Sequence, residues 1–369
     1  MQTPLTNTRQ RKGPRSELPR GLALAIGSLP HRDPYAAVRL MLETCPEAPC
    51  WPQLPSLGFQ ETMVPQFAEG IPGVRVDRDK GRVSFERPED QWQKLASFYE
   101  RYHLAEQTGD RDAFAISPGC ARGLHAFIEK IFEARPGPRF PFVKGQITGP
   151  LTFGLSVHDE RGLPALYDET LADVIPKALL MKGLWQIERL APAVGRTILF
   201  VDEPVLASFG SAAMINLSRE RAITFVRPVV EALQAAGALV GSHCCGNTDW
   251  SLLIDAGVDI VNFDAYLYRD SVGLYGESLN AFLSRGGYLA WGIVPSEKRH
   301  QGRTAQELFD LLLEGIRSLA DRGISKDLLA ERLLVTTSCG LGLLTEPEAE
   351  HAMALLRDLS ERIRQDLPV

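Results

Sequence analysis

No apolar run in this sequence approaches the roughly 18–20 residues that a membrane span needs; the longest, such as residues 22–26, are strand-sized. Nor is there an excess of positive charge. Lys and Arg number 40 against 46 Asp and Glu, for a net charge of −6, so the basic footprint of a nucleic-acid or anionic-membrane binder is absent. No signal-type apolar region precedes a small-residue cleavage site, and the chain reads as cytoplasmic, bacterial or archaeal. Cysteine is scarce. Six in 369 residues is no disulfide scaffold, and in the cytosol such thiols are free or bind metal. Low-complexity blocks, short repeats and the glycine fingerprint of dinucleotide-binding sheets are missing too.

What is present is ordinary globular material, 44% apolar and 23% charged, ample for a core. Residues 1–20 are basic and Pro-containing; they read as a flexible arm, or alternatively as a nucleic-acid- or anion-binding tail. Beyond them a short apolar run followed by a longer amphipathic stretch recurs. Strands are predicted over 22–29, 51–54, 143–148, 197–203, 238–245, 260–265, 288–294 and 333–339, each bounded by Gly, Pro or polar residues. Helical periodicity runs over 33–44, 163–189 with a break expected at Pro176, 219–236, 249–256, 278–285, 305–322 and 346–364. Eight strands alternating with helices predict an α/β fold, a single (β/α)₈ TIM barrel over 21–369. An open doubly wound sheet is the alternative.

The interval from 55 to 141 is too long for one helix. It holds a hairpin pattern, 74–76 and 83–85 around a turn at 79–81, and helical stretches over 90–108 and 120–135. Residues 74–140 are thus expected to form an insertion after the second strand, either a cap or interaction surface or plain helix packing.

The strongest local signal is GSHCCGNT at the end of the fifth predicted strand. Residues two apart on a strand share a face, so His243 and Cys245 can present an imidazole and a thiolate to one metal while Cys244 turns away. Cys339, at the end of the eighth strand, can supply a second thiolate, because barrel sites assemble at the C-terminal strand ends. Zinc takes N and S ligands, and a catalytic site keeps one position open; the competing reading is three small buried side chains. Asp202 and Glu203 precede a Pro at the fourth strand end, placed to meet a cation or an amine, or to cap a helix. Gly27 and Ser28 form a turn at the first strand end that can meet an anion or simply end the strand. Asp264, ending the sixth strand, is a candidate fourth ligand or a hydrogen-bond partner for His243.

Taken in order, IGSLP (26–30), KGQITGPLT (144–152), VDEPVL (201–206), the His-x-Cys pair, GVDIVNFD (257–264), AWGIVPS (290–296) and SCGL (338–341) resemble the uroporphyrinogen decarboxylase and cobalamin-independent methionine synthase superfamily. The resemblance spans about residues 22–356 and is greatest to the catalytic barrel of the methionine synthases, to which MVPQFAEGIPG (63–73) is also similar. HCCGNT (243–248) resembles instead the zinc methyltransferases that use methylcobalamin. The resemblance implies zinc on His243, Cys245 and Cys339, with Asp264 where the methionine synthases carry a Glu. It further implies that Asp202 holds a substrate amino group and that Ser28 lies on the turn that binds the substrate carboxylate. The family's acidic Gly-Glu motif has no match in register, Glu61 of SLGFQETMV (56–64) lying out of step with it.

The implied activity is methyl transfer to a thiol, homocysteine giving methionine. A free thiol is mostly protonated at neutral pH, and zinc deprotonates it. Methionine synthases of this kind resemble two barrels in one chain, and 369 residues hold one, which implies a methylated corrinoid, free or on a partner protein, rather than a folate donor. The alternatives are a metal-free lyase of the decarboxylase type, although the Arg-rich substrate motif of true decarboxylases is absent, and a non-catalytic zinc- or corrinoid-binding accessory protein.

Overall fold

The computed structural model describes residues 18–87, 89–133, 139–211, 214, 216–297 and 302–367. The predicted arm, apart from residues 18–20, lies outside them. Strands β1 (Leu22–Leu24), β4 (Phe140–Thr148), β5 (Val194–Asp202), β6 (Leu239–Cys244), β7 (Ile260–Phe263), β8 (Tyr288–Val294) and β9 (Leu333–Thr337) form one parallel sheet in the order β1-β9-β8-β7-β6-β5-β4. β2 (Val74–Asp77) and β3 (Arg82–Phe85) form the predicted hairpin, paired antiparallel. The helices are α1 (Pro34–Thr44), α2 (Gln91–Thr108), α3 (Arg122–Phe132), α4 (Pro150–Ser156), α5 (Glu169–Leu190), α6 (Arg219–Ala235), α7 (Trp250–Ala256), α8 (Ala265–Tyr268), α9 (Gly276–Ser284), α10 (Ala305–Asp321), α11 (Lys326–Glu331) and α12 (Glu346–Asp366).

Among the described residues the sheet has seven strands where eight were expected. The predicted strand at 51–54 is replaced by an extended segment, residues 47–53, that stands between β4 and the end of β1. Phe142 and Lys144 donate to the carbonyls of Glu47 and Pro49 on one side; Gln53 and Gly27, with Leu29, exchange bonds of 2.9–3.0 Å on the other. Only isolated bridges result, Cys50 to Lys144 and Ser28 to Gln53. The cause is visible in the sequence. Pro46, Pro49, Pro52 and Pro55 remove an N–H at every third position, and a ladder cannot run through them. The barrel is thus nearly closed, with an irregular joint.

A second expectation is also corrected. Pro176 does not break the long helix; α5 runs through it. An interior Pro costs about 3 kcal/mol, but α5 buries Leu171, Val174, Ile175, Ala178, Leu179 and Leu190 at 4% exposure or less, and each large apolar side chain contributes about 1.5–3 kcal/mol. Helix starts follow the expected chemistry: Asp33, Asp168 and Asp249 cap α1, α5 and α7, and Thr304 and Thr345 begin capping boxes on α10 and α12.

The inside of the barrel is packed at its N-terminal end by Leu22, Leu24, Phe142, Ile198, Phe200, Leu239, Ile260, Tyr288 and Leu334, with Leu18 closing the bottom. The larger apolar core lies between sheet and helices. Among the described residues no helix is long and apolar enough to cross a membrane.

Candidate metal centre

His243 is the penultimate residue of β6, and Cys245 follows the strand. Cys339 follows β9 by two residues. The ligand atoms of these three residues lie within 4.8 Å of one another, and they are the one such group among the described residues. Ligands on a tetrahedral zinc, with bonds of about 2.0–2.3 Å, stand about 3.5–3.8 Å apart, so the spacing fits one ion. Cys244 is fully buried and turned toward the carbonyls of Pro204 and Gly246, as the strand alternation requires. Cys45, Cys50 and Cys120 are buried elsewhere.

The imidazole of His243 is oriented from behind. Its Nδ1 lies 2.5 Å from Oδ1 of Asn262, the residue opposite it in the β6–β7 register. Asn262 donates through Nδ2 to the Ala290 carbonyl at 2.9 Å and to Thr336 Oγ1 at 2.8 Å, and the Thr336 hydroxyl donates onward to the Thr337 carbonyl. This chain leaves Asn262 no choice of orientation. Its oxygen must face the ring, so Nδ1 carries a proton and Nε2 is the nitrogen left to meet a metal. Nε2 is buried with no hydrogen-bond partner. A buried, unpaired, tautomer-fixed nitrogen beside two sulfurs is what a metal ligand looks like before the metal is added. The two thiols also act on each other. Cys339 and the His243 imidazole push the Cys245 thiol well below its usual range, while Cys245 pushes Cys339 up, so the pair shares a proton between its sulfurs.

These groups open into a cavity of about 280 Å³ lined also by Ile26, Ser28, Gln53, Glu61, Met63, Asp202, Pro204 and Leu343. Among the described residues no Lys or Arg lines it. Asp202, ending β5, is buried with Oδ1 unpaired; burial raises its pKa, and Lys144 and His243 oppose the rise. Glu61 was read as out of register, yet the short 3₁₀ turn Phe59–Glu61 carries it into the cavity wall. Its Oε1 takes the Arg122 N–H at 3.1 Å, while Oε2 is buried and unpaired. Ser28 stands in the wall, its Oγ accepting from Gly342 at 3.4 Å. Gly27 is buried behind it at φ 145°, and a Cβ there would press on Gln146 and Gln53. At Gly340 a Cβ would lie 2.0 Å from Ser28 Oγ, so a side chain there would displace that hydroxyl.

Two predicted site residues stand elsewhere. Glu203 does not reach the cavity. It is fully buried and accepts from Leu151 N, Thr152 N and Thr152 Oγ1 at 2.6–2.9 Å, tying the end of β5 to the start of α4. Neighbours on a strand point to opposite faces, and Asp202 has the inward one. Asp264 caps α8 through Leu267 N at 2.9 Å and is outside the group of three; burial pushes its pKa up to about 6. Asn262 occupies the orienting role. Sequence reading passed over Asn262, although it lies two residues before Asp264 on the same strand face.

No family model and no curated protein matches this sequence. Among solved structures, the chain is similar to a B12-independent methionine synthase from Shewanella sp. W3-18-1 in complex with selenomethionine, at 16% identity and TM-score 0.50, covering 95% of this chain and 96% of that one. It is similar also to a Listeria monocytogenes protein assigned as a vitamin-B12-independent methionine synthase, at 13% identity and TM-score 0.51, over 91% and 86% of the two chains. At these identities the likeness is one of fold.

Proposed function

We propose that this chain is a zinc-dependent methyltransferase that moves a methyl group to a thiol, with homocysteine as acceptor, methionine as product and a methylated corrinoid, free or on a partner protein, as donor. In this reading residues 21–369 are one catalytic barrel, with 74–140 inserted in it. The observation that carries it is the union of His243, Cys245 and Cys339 with one cavity that also holds two buried, unpaired carboxylate oxygens. Zinc on the three side chains would keep a fourth position open and supply a deprotonated yet nucleophilic acceptor thiol.

The chain's own residues account for the rest of the acceptor. An ammonium offers three donors, which suit Oδ1 of Asp202 and Oε2 of Glu61, and Ser28 lies on the same wall for a carboxylate. Asn262 fixes the His243 ring. The sulfur attacks the methyl carbon, a C–S bond forms, and the donor keeps the electron pair of its broken bond to methyl. No acid need act on a corrinoid leaving group. The cavity mouth, with Pro55, Met63, Pro204 and the fully exposed Leu343, is an apolar lip suited to a broad donor. The Shewanella protein, solved with selenomethionine, is of the same fold.

The test is turnover of methylcobalamin and homocysteine by the full chain, with zinc measured on the same sample. One zinc per chain and activity lost to a chelator and restored by zinc are expected. Activity without zinc refutes the metal reading, and a zinc-loaded chain inactive on this pair refutes the acceptor or the donor.

A further inference from the structure

Lys144 has no place in the chemistry above, yet it is fully buried inside the barrel on β4. Its ammonium donates to the Ile26 carbonyl at 2.7 Å and to Gln146 Oε1 at 3.2 Å, with Cys50 Sγ at 3.7 Å. The Phe200 ring centroid is 4.5 Å away. All three N–H groups are thus engaged by neutral acceptors, and the buried Asp202 carboxylate acts on the ammonium through space, without a hydrogen bond. Burying a cation without a directly bonded carboxylate is costly.

The three partners come from three parts of the barrel wall. Ile26 follows β1, Gln146 is on β4, and Cys50 belongs to the proline-interrupted segment between them. Lys144 therefore bridges the joint at which the ladder fails. Directly along the chain from those anchor points stand Ile26, Ser28 and Gln53, all in the cavity wall. None of Lys144's hydrogen-bonding partners is a member of the metal-binding group.

We propose that Lys144 is a positioning residue for the acceptor: by holding Ile26, Cys50 and Gln146 together it sets the wall of Ile26, Ser28 and Gln53 on which the acceptor's amino-acid end rests, and it leaves metal binding alone. The inference rests on the acceptor reading above.

Full-length protein loaded with Co(II) reports a joining thiol through a sulfur-to-cobalt charge-transfer band. Homocysteine is titrated against 1-propanethiol, which has the thiol but no amino-acid end. Lys144→Met is expected to bind Co(II) and 1-propanethiol as the wild type does and homocysteine about tenfold more weakly, as for the loss of an oriented polar contact. Lys144→Arg, which keeps charge and donors, is expected to recover part of that loss. Unchanged homocysteine affinity in Lys144→Met overturns the proposal, as does an equal loss for both thiols, which marks general loosening. If Lys144→Met does not fold, Lys144→Gln, which keeps one donor, is held to the same ratio; failure of both to fold assigns Lys144 to barrel closure and overturns the positioning role. A wild type that binds both thiols equally overturns the acceptor reading, and this inference with it.

Discussion

Near the bottom of the barrel interior stand Leu22, Ile198, Leu239, Ile260 and Leu334. Four residues further along the same strands stand Ile26, Asp202, His243, Asp264 and Ser338. Four residues are two pleats, about 13 Å, and over that distance four of the five strands pass from an apolar plug to a polar group, Ile26 being the exception. The lower set has no polar atom to satisfy, so packing alone fixes it. The upper set keeps Asp202 Oδ1 and His243 Nε2 buried without partners, which a fold tolerates where a ligand completes them. Between the two lie Asn262 and Lys144, polar, buried and fully bonded, passing the rigidity of the plug to the site. Stability resides at one end and incompleteness at the other.

The sharpest way to break that division is at a ligand. Cys339→Ser should leave the melting temperature of the metal-free protein nearly unchanged while weakening zinc at least about 100-fold, beyond the range seen for groups that only orient a ligand. Chelator competition measures it; zinc affinity within tenfold of wild type would remove Cys339 from the site. Next comes a matched pair. Leu239→Ala should cost about 2–5 kcal/mol of stability in denaturant unfolding with zinc affinity intact. Asn262→Ala should weaken zinc about 10–100-fold. A Leu239→Ala protein that folds well but loses zinc would mean the two ends are not separable as argued.

Much of this division was legible in the sequence, because it follows strand periodicity. His243, Cys245 and Cys339 were found from a two-residue spacing and from the rule that barrel sites gather at strand ends, and the structure brings them together. The 74–85 hairpin was read from its turn. What escaped depended on register and on loops. The sequence points to Asp264 as partner of His243 and does not single out Asn262; only the β6–β7 register sets Asn262 opposite the ring. Glu61 reaches the cavity through a turn whose path no periodicity encodes. The proline spacing that denies the second strand its ladder is present in the sequence, at 46, 49, 52 and 55.

The smallest expected effect concerns an acid at the upper end that belongs with the structural half. Glu203 adjoins Asp202, but its carboxylate faces the sheet–helix layer and holds α4. Burial pushes its pKa up from 4.5 to about 7, against three hydrogen bonds that lower it. A group raised in the folded state stabilises fully below its unfolded pKa and loses that contribution as pH rises through the folded value. The window is therefore about pH 4.5 to 7, and the contribution lost across it is on the order of 3 kcal/mol. The wild type should lose melting temperature between pH 5 and 7.5, and Glu203→Gln, which cannot titrate, should lose less. Zinc and homocysteine affinity should not differ between the two proteins. A pH slope identical in both would show that the hydrogen bonds outweigh burial at this carboxyl, and a fall in homocysteine affinity would move Glu203 across the division, into the site from which its outward face now separates it.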